Sequence, residues 1–419
     1  MTGHRFPLAT SSWGAEEHAA MASVIASGHF TMGEKVAAFE QDFARYTGTR
    51  HCVMVNSGSS ANLLMVAALF YCRNPTLRLK RGDEVIVPAV SWSTTYFPLY
   101  QYGLKLKFVD IDLQTLNFDL QQLKTAITPR TRAIMAVNLL GNPNDYLTIQ
   151  SLIADRNIVL LEDNCESMGA TLGGRRAGSF GVMSSHSAFF SHHISTMEGG
   201  LICTDDEELH HILLSLRAHG WTRNLPKHNR VCGTKSDDPF DESFRFVLPG
   251  YNVRPLELSG ALGVEQLKRL PGLVAARRDN ARALQAAMAD HSSLMLQREI
   301  GQSSWFGFSL VIRPGVQRGR RELIQALRDT GFECRPIVAG NFAKNPVVRY
   351  FDYEIHGELH NAQYVDSHGL FVGNQHDPMP QAVAALAALW RDTGVTAPAA
   401  GKKTTSRPHG VAIGATLAG

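Results

Sequence analysis

Between residues 84 and 163 short apolar runs alternate with segments of helical spacing, and this alternation restricts the fold more than any other feature of the chain. The runs at 84–88, 106–110, 133–137 and 158–163 are apolar almost throughout. A strand with one wet face shows period-two patterning, so continuous runs of this kind predict strands covered on both faces. Between them, 116–126 and 145–155 space their apolar residues as amphipathic helices do. The expected fold is therefore α/β, with helices packed on both faces of a mostly parallel, mixed sheet. Such sheets collect ligands beyond the carboxyl ends of their strands, and Asp163 closes the fourth run there.

The pattern changes after residue 255. A long alanine-rich helical stretch over 256–289 leads to strand candidates at 305–312 and 333–338, which predicts a smaller α+β C-terminal domain. The division expected is a large domain over 1–255 and a small one over 256–394. Residues 395–419, rich in Ala, Gly, Thr and Lys, are expected to form a disordered tail. A net charge of +3 on 419 residues gives no case for a nucleic-acid binder. The six cysteines include no close Cys-x-x-Cys pair, so no metal is expected, and isolated thiols fit a reducing compartment. Neither an apolar leader core nor a run approaching ~20 apolar residues is present, which predicts a soluble, cytoplasmic protein with no membrane partner.

Four motifs carry residue types suited to chemistry. Asn56-Ser57-Gly58-Ser59-Ser60-Ala61-Asn62 precedes a helical run at 63–70, and a Ser/Gly turn opening a helix offers N–H groups and hydroxyls to a phosphate. Read alone, it is equally an ordinary capped helix start. Trp92 follows the first run and suits either a flat ligand ring or the core. Asp163 suits a protonated ring nitrogen or a helix N-cap, with Glu166 three residues on. The pair His192-His193 offers an imidazole for proton transfer, although such pairs are commonly structural.

The stretch Ser187-Ala188-Phe189-Phe190-Ser191-His192-His193-Ile194-Ser195-Thr196-Met197-Glu198-Gly199-Gly200 resembles the cofactor-lysine segment of the sugar-nucleotide aminotransferases. These are pyridoxal-phosphate enzymes of the aspartate-aminotransferase fold, the DegT/DnrJ/EryC1/StrS family. There a lysine stands six residues before the Glu of Glu-Gly-Gly; here His192 does. An imidazole moves protons but forms no imine with the cofactor aldehyde, whereas a lysine does both. The segments 88–96, 161–169 and 217–226 are similar to the histidine-bearing branch of the family.

The resemblance implies a pyridoxamine/pyridoxal 5'-phosphate enzyme that removes the C3 hydroxyl of a nucleotide-linked 4-keto-6-deoxyhexose, GDP-4-keto-6-deoxy-D-mannose. L-Glutamate would restore the amine form, and ammonia would be released. His192 would be catalytic. Gly58, Ser59 and Ser187 would hold the cofactor phosphate, Trp92 would stack, Asp163 would face the ring nitrogen, and Glu166 the phenolic oxygen with a raised pKa. Asn252, in Gly-Tyr-Asn-Val-Arg, would reach the cofactor of a second copy, so a homodimer with shared sites is implied. Phe30, Thr31, Met32, His219, Arg254 and Arg335 are weaker substrate candidates. The alternative is a nucleotide-sugar aminotransferase in which another lysine supplies the imine.

Overall fold

The structure is a computed structural model and describes residues 4–391. The tail expected from 395 onward lies outside the described residues. In chain order the first part comprises α1 (Ala15–Ser27), α2 (Glu34–Thr47), β1 (His51–Val55), α3 (Gly58–Tyr71), β2 (Glu84–Pro88), α4 (Ser93–Gln101), β3 (Lys105–Val109), α5 (Leu120–Ala126), β4 (Thr131–Val137), α6 (Tyr146–Ile153), β5 (Val159–Asp163), β6 (Met183–Ser187), β7 (Gly200–Thr204) and α7 (Glu207–Leu216). The second part comprises α8 (Glu257–Ala287), β8 (Leu294–Met295), β9 (Gly307–Ile312), α9 (Arg320–Asp329), β10 (Cys334–Arg335), β11 (Tyr353–Ile355), α10 (His360–His368), β12 (Gly369–Gly373) and α11 (Pro380–Ala388).

All four predicted runs are strands of one eight-stranded sheet, in the order β1-β7-β6-β5-β4-β2-β3-β11. Neighbours from β6 across to β11 pair in parallel, while β7 runs antiparallel to both β1 and β6. The sheet is mixed but mostly parallel. One face buries α3, α4 and α7 around Leu64, Met65, Val85, Met135 and Leu161. The other buries α5 and α6 around Ile86, Ile134, Tyr146 and Leu160. With both faces covered, the strands read as continuous apolar runs.

The predicted helix over 116–126 is shorter than expected. Asp119 caps α5 by accepting from Gln121 and Gln122 N–H, and Leu116 lies in the left-handed region at φ 61°. A second sheet, β8-β9-β12-β10, holds the small-domain core of Trp305, Phe308, Leu310 and Leu323. Strand β9 starts at Gly307 rather than 305 because Trp305 also has positive φ, 49°.

Two features join the halves. α8 packs Leu267, Leu270 and Val274 against α2 and the large sheet, then continues with Ala281 and Leu284 into the small-domain core. β11, drawn from late in the chain, pairs in parallel with β3 at the edge of the large sheet. That edge is pinned by Lys107, 2% exposed, which lies 2.8 Å from Glu84 and 2.9 Å from Glu354. Among the described residues, no helix is long and apolar enough to cross a membrane.

Candidate active site

The carboxyl ends of β2, β4, β5 and β6 converge on a cavity of about 540 Å³ that the small domain closes with Phe306, Arg335 and Phe371. β2 delivers Ser91 and Trp92, β4 Val137, β5 Asp163, and β6 Ser187. This is the crevice that a parallel sheet predicts.

The floor is the start of α3. Ser57 caps it, its hydroxyl accepting from Ser60 N–H at 3.1 Å, and the first-turn N–H groups and the helix dipole favour an anion there. Gly58 is required by space: a Cβ would stand 2.7 Å from Ser187 Cβ and 2.9 Å from Cys165 Sγ. The exposed Ser59 donates to Thr94 Oγ1 at 3.0 Å. Gly200, last of Glu-Gly-Gly, lets β7 lie against this turn. A Cβ there would run into the Ser57 carbonyl and stand 2.7 Å from Gly58 N.

Asp163 is buried and fixed by three donors. Its Oδ2 accepts from Asn62 Nδ2 and Thr95 Oγ1, each at 2.8 Å, and its Oδ1 accepts from Cys165 N–H at 3.1 Å. Glu166 accepts from Leu140 N–H at 2.9 Å, and Leu140 adopts left-handed backbone, φ 53°. Burial, opposed by that hydrogen bond and reinforced by the charge of Asp163, pushes the Glu166 carboxyl up to about 7. The direction agrees with the expectation from sequence.

The sign of this shift gives a stability prediction. Between pH 4.5 and 7 the folded apoprotein holds a proton at Glu166 that the unfolded chain releases, so stability falls as pH rises through that window. E166Q, permanently neutral, is expected to be more stable than the parent by about 2–3 kcal/mol at pH 8. The gain shrinks toward pH 4.5. Urea melts of the two apoproteins at both pH values check this, and equal differences at the two pH values would contradict it.

His192 lines the cavity half-buried, its ring 5.8 Å from that of Phe189 and 5.1 Å from that of Phe306. Its Nδ1 is covered and has no partner. Burial first, then the positive charge of Arg277, bring it down to about 4, so the imidazole is neutral at pH 7. His193 is buried, its Nε2 3.2 Å from the Ser304 carbonyl, and is not part of the cavity wall.

Gly58, Ser59, Trp92, Asp163, Glu166, Ser187, His192 and Arg335 thus share one cavity. Trp92 is 57% exposed, an apolar ring left open at the mouth. Phe30, Thr31 and Met32 lie away from it: Thr31 bridges to Leu256, and Met32 packs beside the α2–α8 core. Neither His219, Asn252 nor Arg254 lines it. His219 has its ring 5.2 Å from that of Trp221, and Arg254 donates to Asn252 Oδ1 at 3.0 Å. Sequence reasoning missed Asn62 and Thr95, which orient Asp163, and Phe306, which walls His192. Asn62 and Thr95 fall inside quoted motifs; Phe306 gives no signal of its own.

The donor set fits a phosphorylated pyridine. It combines a helix N-terminus spaced by glycine, a fixed carboxylate, a second carboxyl poised near neutrality and an open indole. The lining residues, all among the described residues, include no lysine.

The sequence is similar to known proteins over nearly its whole length. GDP-4-keto-6-deoxy-D-mannose 3-dehydratase of Yersinia pseudotuberculosis is 58% identical over 382 residues, covering 91% of this chain and 97% of the relative. The structure of the E. coli GDP-4-keto-6-deoxy-D-mannose 3-dehydratase with bound hydrated PLP superposes with a TM-score of 0.90 at 57% identity, covering 92% of this chain and 98% of that one. A GDP-4-keto-6-deoxymannose 3-dehydratase with a trapped PLP-glutamate geminal diamine also gives 0.90 at 57%, covering 91% and 99%. The sequence profile of the DegT/DnrJ/EryC1/StrS aminotransferase family matches residues 11–384, and the chain belongs to that family.

Proposed function

We propose that this protein is a cytoplasmic, homodimeric enzyme that catalyses C3 dehydration of GDP-4-keto-6-deoxy-D-mannose, with pyridoxamine phosphate as coenzyme and L-glutamate as the source of its amine. The observation that carries the reading is His192 in a cavity without lysine, where the family's imine-forming residue stands. Two relatives that bear the name GDP-4-keto-6-deoxy-D-mannose 3-dehydratase are 58% and 59% identical to this chain.

The coenzyme supplies, when bound, an amine for the sugar's C4 ketone and a cationic ring that accepts an electron pair. Gly58, Ser59 and Ser187 would hold its phosphate, and Trp92 would cover its ring. Asp163, fixed by Asn62 and Thr95, would keep the ring nitrogen protonated, because a carboxylate beside a cation favours the charged form. Glu166 near neutrality can share a proton with the phenolic oxygen.

His192, neutral in the cavity, accepts the proton released as the sugar is activated. Its conjugate acid is disfavoured there, so it gives that proton up readily to the departing C3 hydroxyl, which leaves as water. Phe306 and Phe371 on the small-domain side would limit water around this exchange.

The coenzyme would sit on the domain ending at residue 255, and the domain that follows would close over it. The dimer is supported by the absence of Asn252 and Arg254 from the lining of their own chain's cavity, with the exposed Leu256 two residues further along the chain. In a paired arrangement Asn252 would reach the second coenzyme phosphate.

The test supplies glutamate with GDP-, CDP- or dTDP-linked 4-keto-6-deoxyhexose and follows 2-oxoglutarate and ammonia. Both are expected with the GDP sugar. Borohydride treatment of the coenzyme-loaded protein should leave no pyridoxyl-lysine. An amino sugar as product, or a trapped lysine, would instead establish an aminotransferase.

A further inference from the structure

α8 reaches the site from behind the histidine pair. Its Arg277 is 5% exposed, and among the described residues no carboxylate pairs with it. The Nη1 donates to the carbonyls of Phe306, at 3.1 Å, and Asn374, while Nε has no partner. A buried guanidinium without a counter-charge is a liability for folding, which points to a task at the site.

What Arg277 grips is the wall of His192. Phe306, whose carbonyl it holds, sets its ring 5.1 Å from His192 and 5.7 Å from His193, centroid to centroid. The neighbouring Arg278 donates to the Ser303 carbonyl at 2.8 Å and the Gly169 carbonyl at 2.9 Å. Trp305, in left-handed backbone, is tied by its indole N–H to Glu299 at 2.9 Å. Residues 303–306 are thus fixed to α8 on one side and meet both histidines on the other. The charged and titratable groups around His192 are Asp163, Cys165, Glu166, Glu198 and Arg335 in the cavity, His193 beside it, and Arg277 and Arg278 behind.

We infer that Arg277 is a positioning residue for His192: it fixes the ring against which the imidazole stands, and its unpaired charge adds to burial in favouring the unprotonated imidazole. The inference rests on His192 being the proton carrier. The lowered proton affinities of both histidines, due first to burial and then to Arg277, agree with it.

Two variants separate charge from anchorage in the coenzyme-loaded enzyme. R277Q keeps amide donors for the carbonyls and removes the charge; R277K keeps the charge and loses the planar fork. The imidazole of His192 is titrated by NMR, its signal assigned as the one missing in H192N, and the acid limb of kcat/KM for dehydration is recorded. In R277Q the midpoint and the acid limb should both rise by about one pH unit, a tenfold change in proton affinity. In R277K the midpoint should stay while kcat falls. An unmoved midpoint in R277Q overturns the proposal, as does a shift of equal size in R277K. Should R277Q fail to fold, parental turnover in R277K would overturn it. If H192N itself keeps turnover, the assignment of His192 fails; if H192N is inactive and R277Q titrates as the parent does, only Arg277 loses its role.

Discussion

Replacing His192 by asparagine should abolish dehydration and leave the coenzyme in place. Asparagine is close in size and polarity to the imidazole but has no site that takes and returns a proton near neutral pH. A positioned acid–base group contributes roughly 10²–10⁴-fold to rate, and here one group serves two transfers, so the loss should lie at the upper end. The coenzyme contacts proposed for the α3 turn, Asp163 and Ser187 do not involve residue 192. The absorbance of bound coenzyme should therefore persist in H192N while ammonia release from sugar and glutamate disappears. Turnover within tenfold of the parent would remove His192 from the mechanism.

The second large effect is expected at Gly200. In G200A the added methyl group would run into the peptide that joins Ser57 to Gly58, first its carbonyl and then its nitrogen. Backbone cannot rotate away as a side-chain tip can, and overpacking of this kind costs about 1–3 kcal/mol. The element displaced is the helix start that would hold the coenzyme phosphate. G200A is expected to lower Tm by several degrees and to weaken coenzyme binding by at least about tenfold, the equivalent of 1.4 kcal/mol. Thermal melts and coenzyme titration measure the two separately. Unchanged affinity would mean that the turn tolerates the shift.

This close approach gives a physical reason for the second glycine of Glu-Gly-Gly, a run read in the sequence through the family resemblance. The histidine in the lysine position is likewise read through that resemblance. Motifs that answer to local geometry can be read from residues: the Ser57–Gly58 turn and the apolar strands ending at Pro88 and Asp163. The long helix from 257 was readable for the same reason, although Pro271 lies within it. Other features answer to distant partners. Leu140 and Trp305 take left-handed backbone because the Leu140 carbonyl accepts from Phe306 N–H and the Gly141 carbonyl from Ser304 N–H across the domain junction. Nothing in either residue type announces this. Arg277 read as one more cation on a helix, and its burial depends on how residues 303–306 and Asn374 fold over it. Phe30, Asn252 and Arg254 came from resemblance, and one chain's geometry gives them no cavity to line.

Strand β11 has a consequence for synthesis. A ribosome that has released residues through 300 has made every other strand of the eight-stranded sheet, yet β3 still presents an open row of unpaired N–H and C=O groups. Lys107 at that moment has Glu84 but lacks Glu354. A nascent or truncated chain ending before residue 353 should therefore be the species that chaperones retain and that clumps through its bare margin.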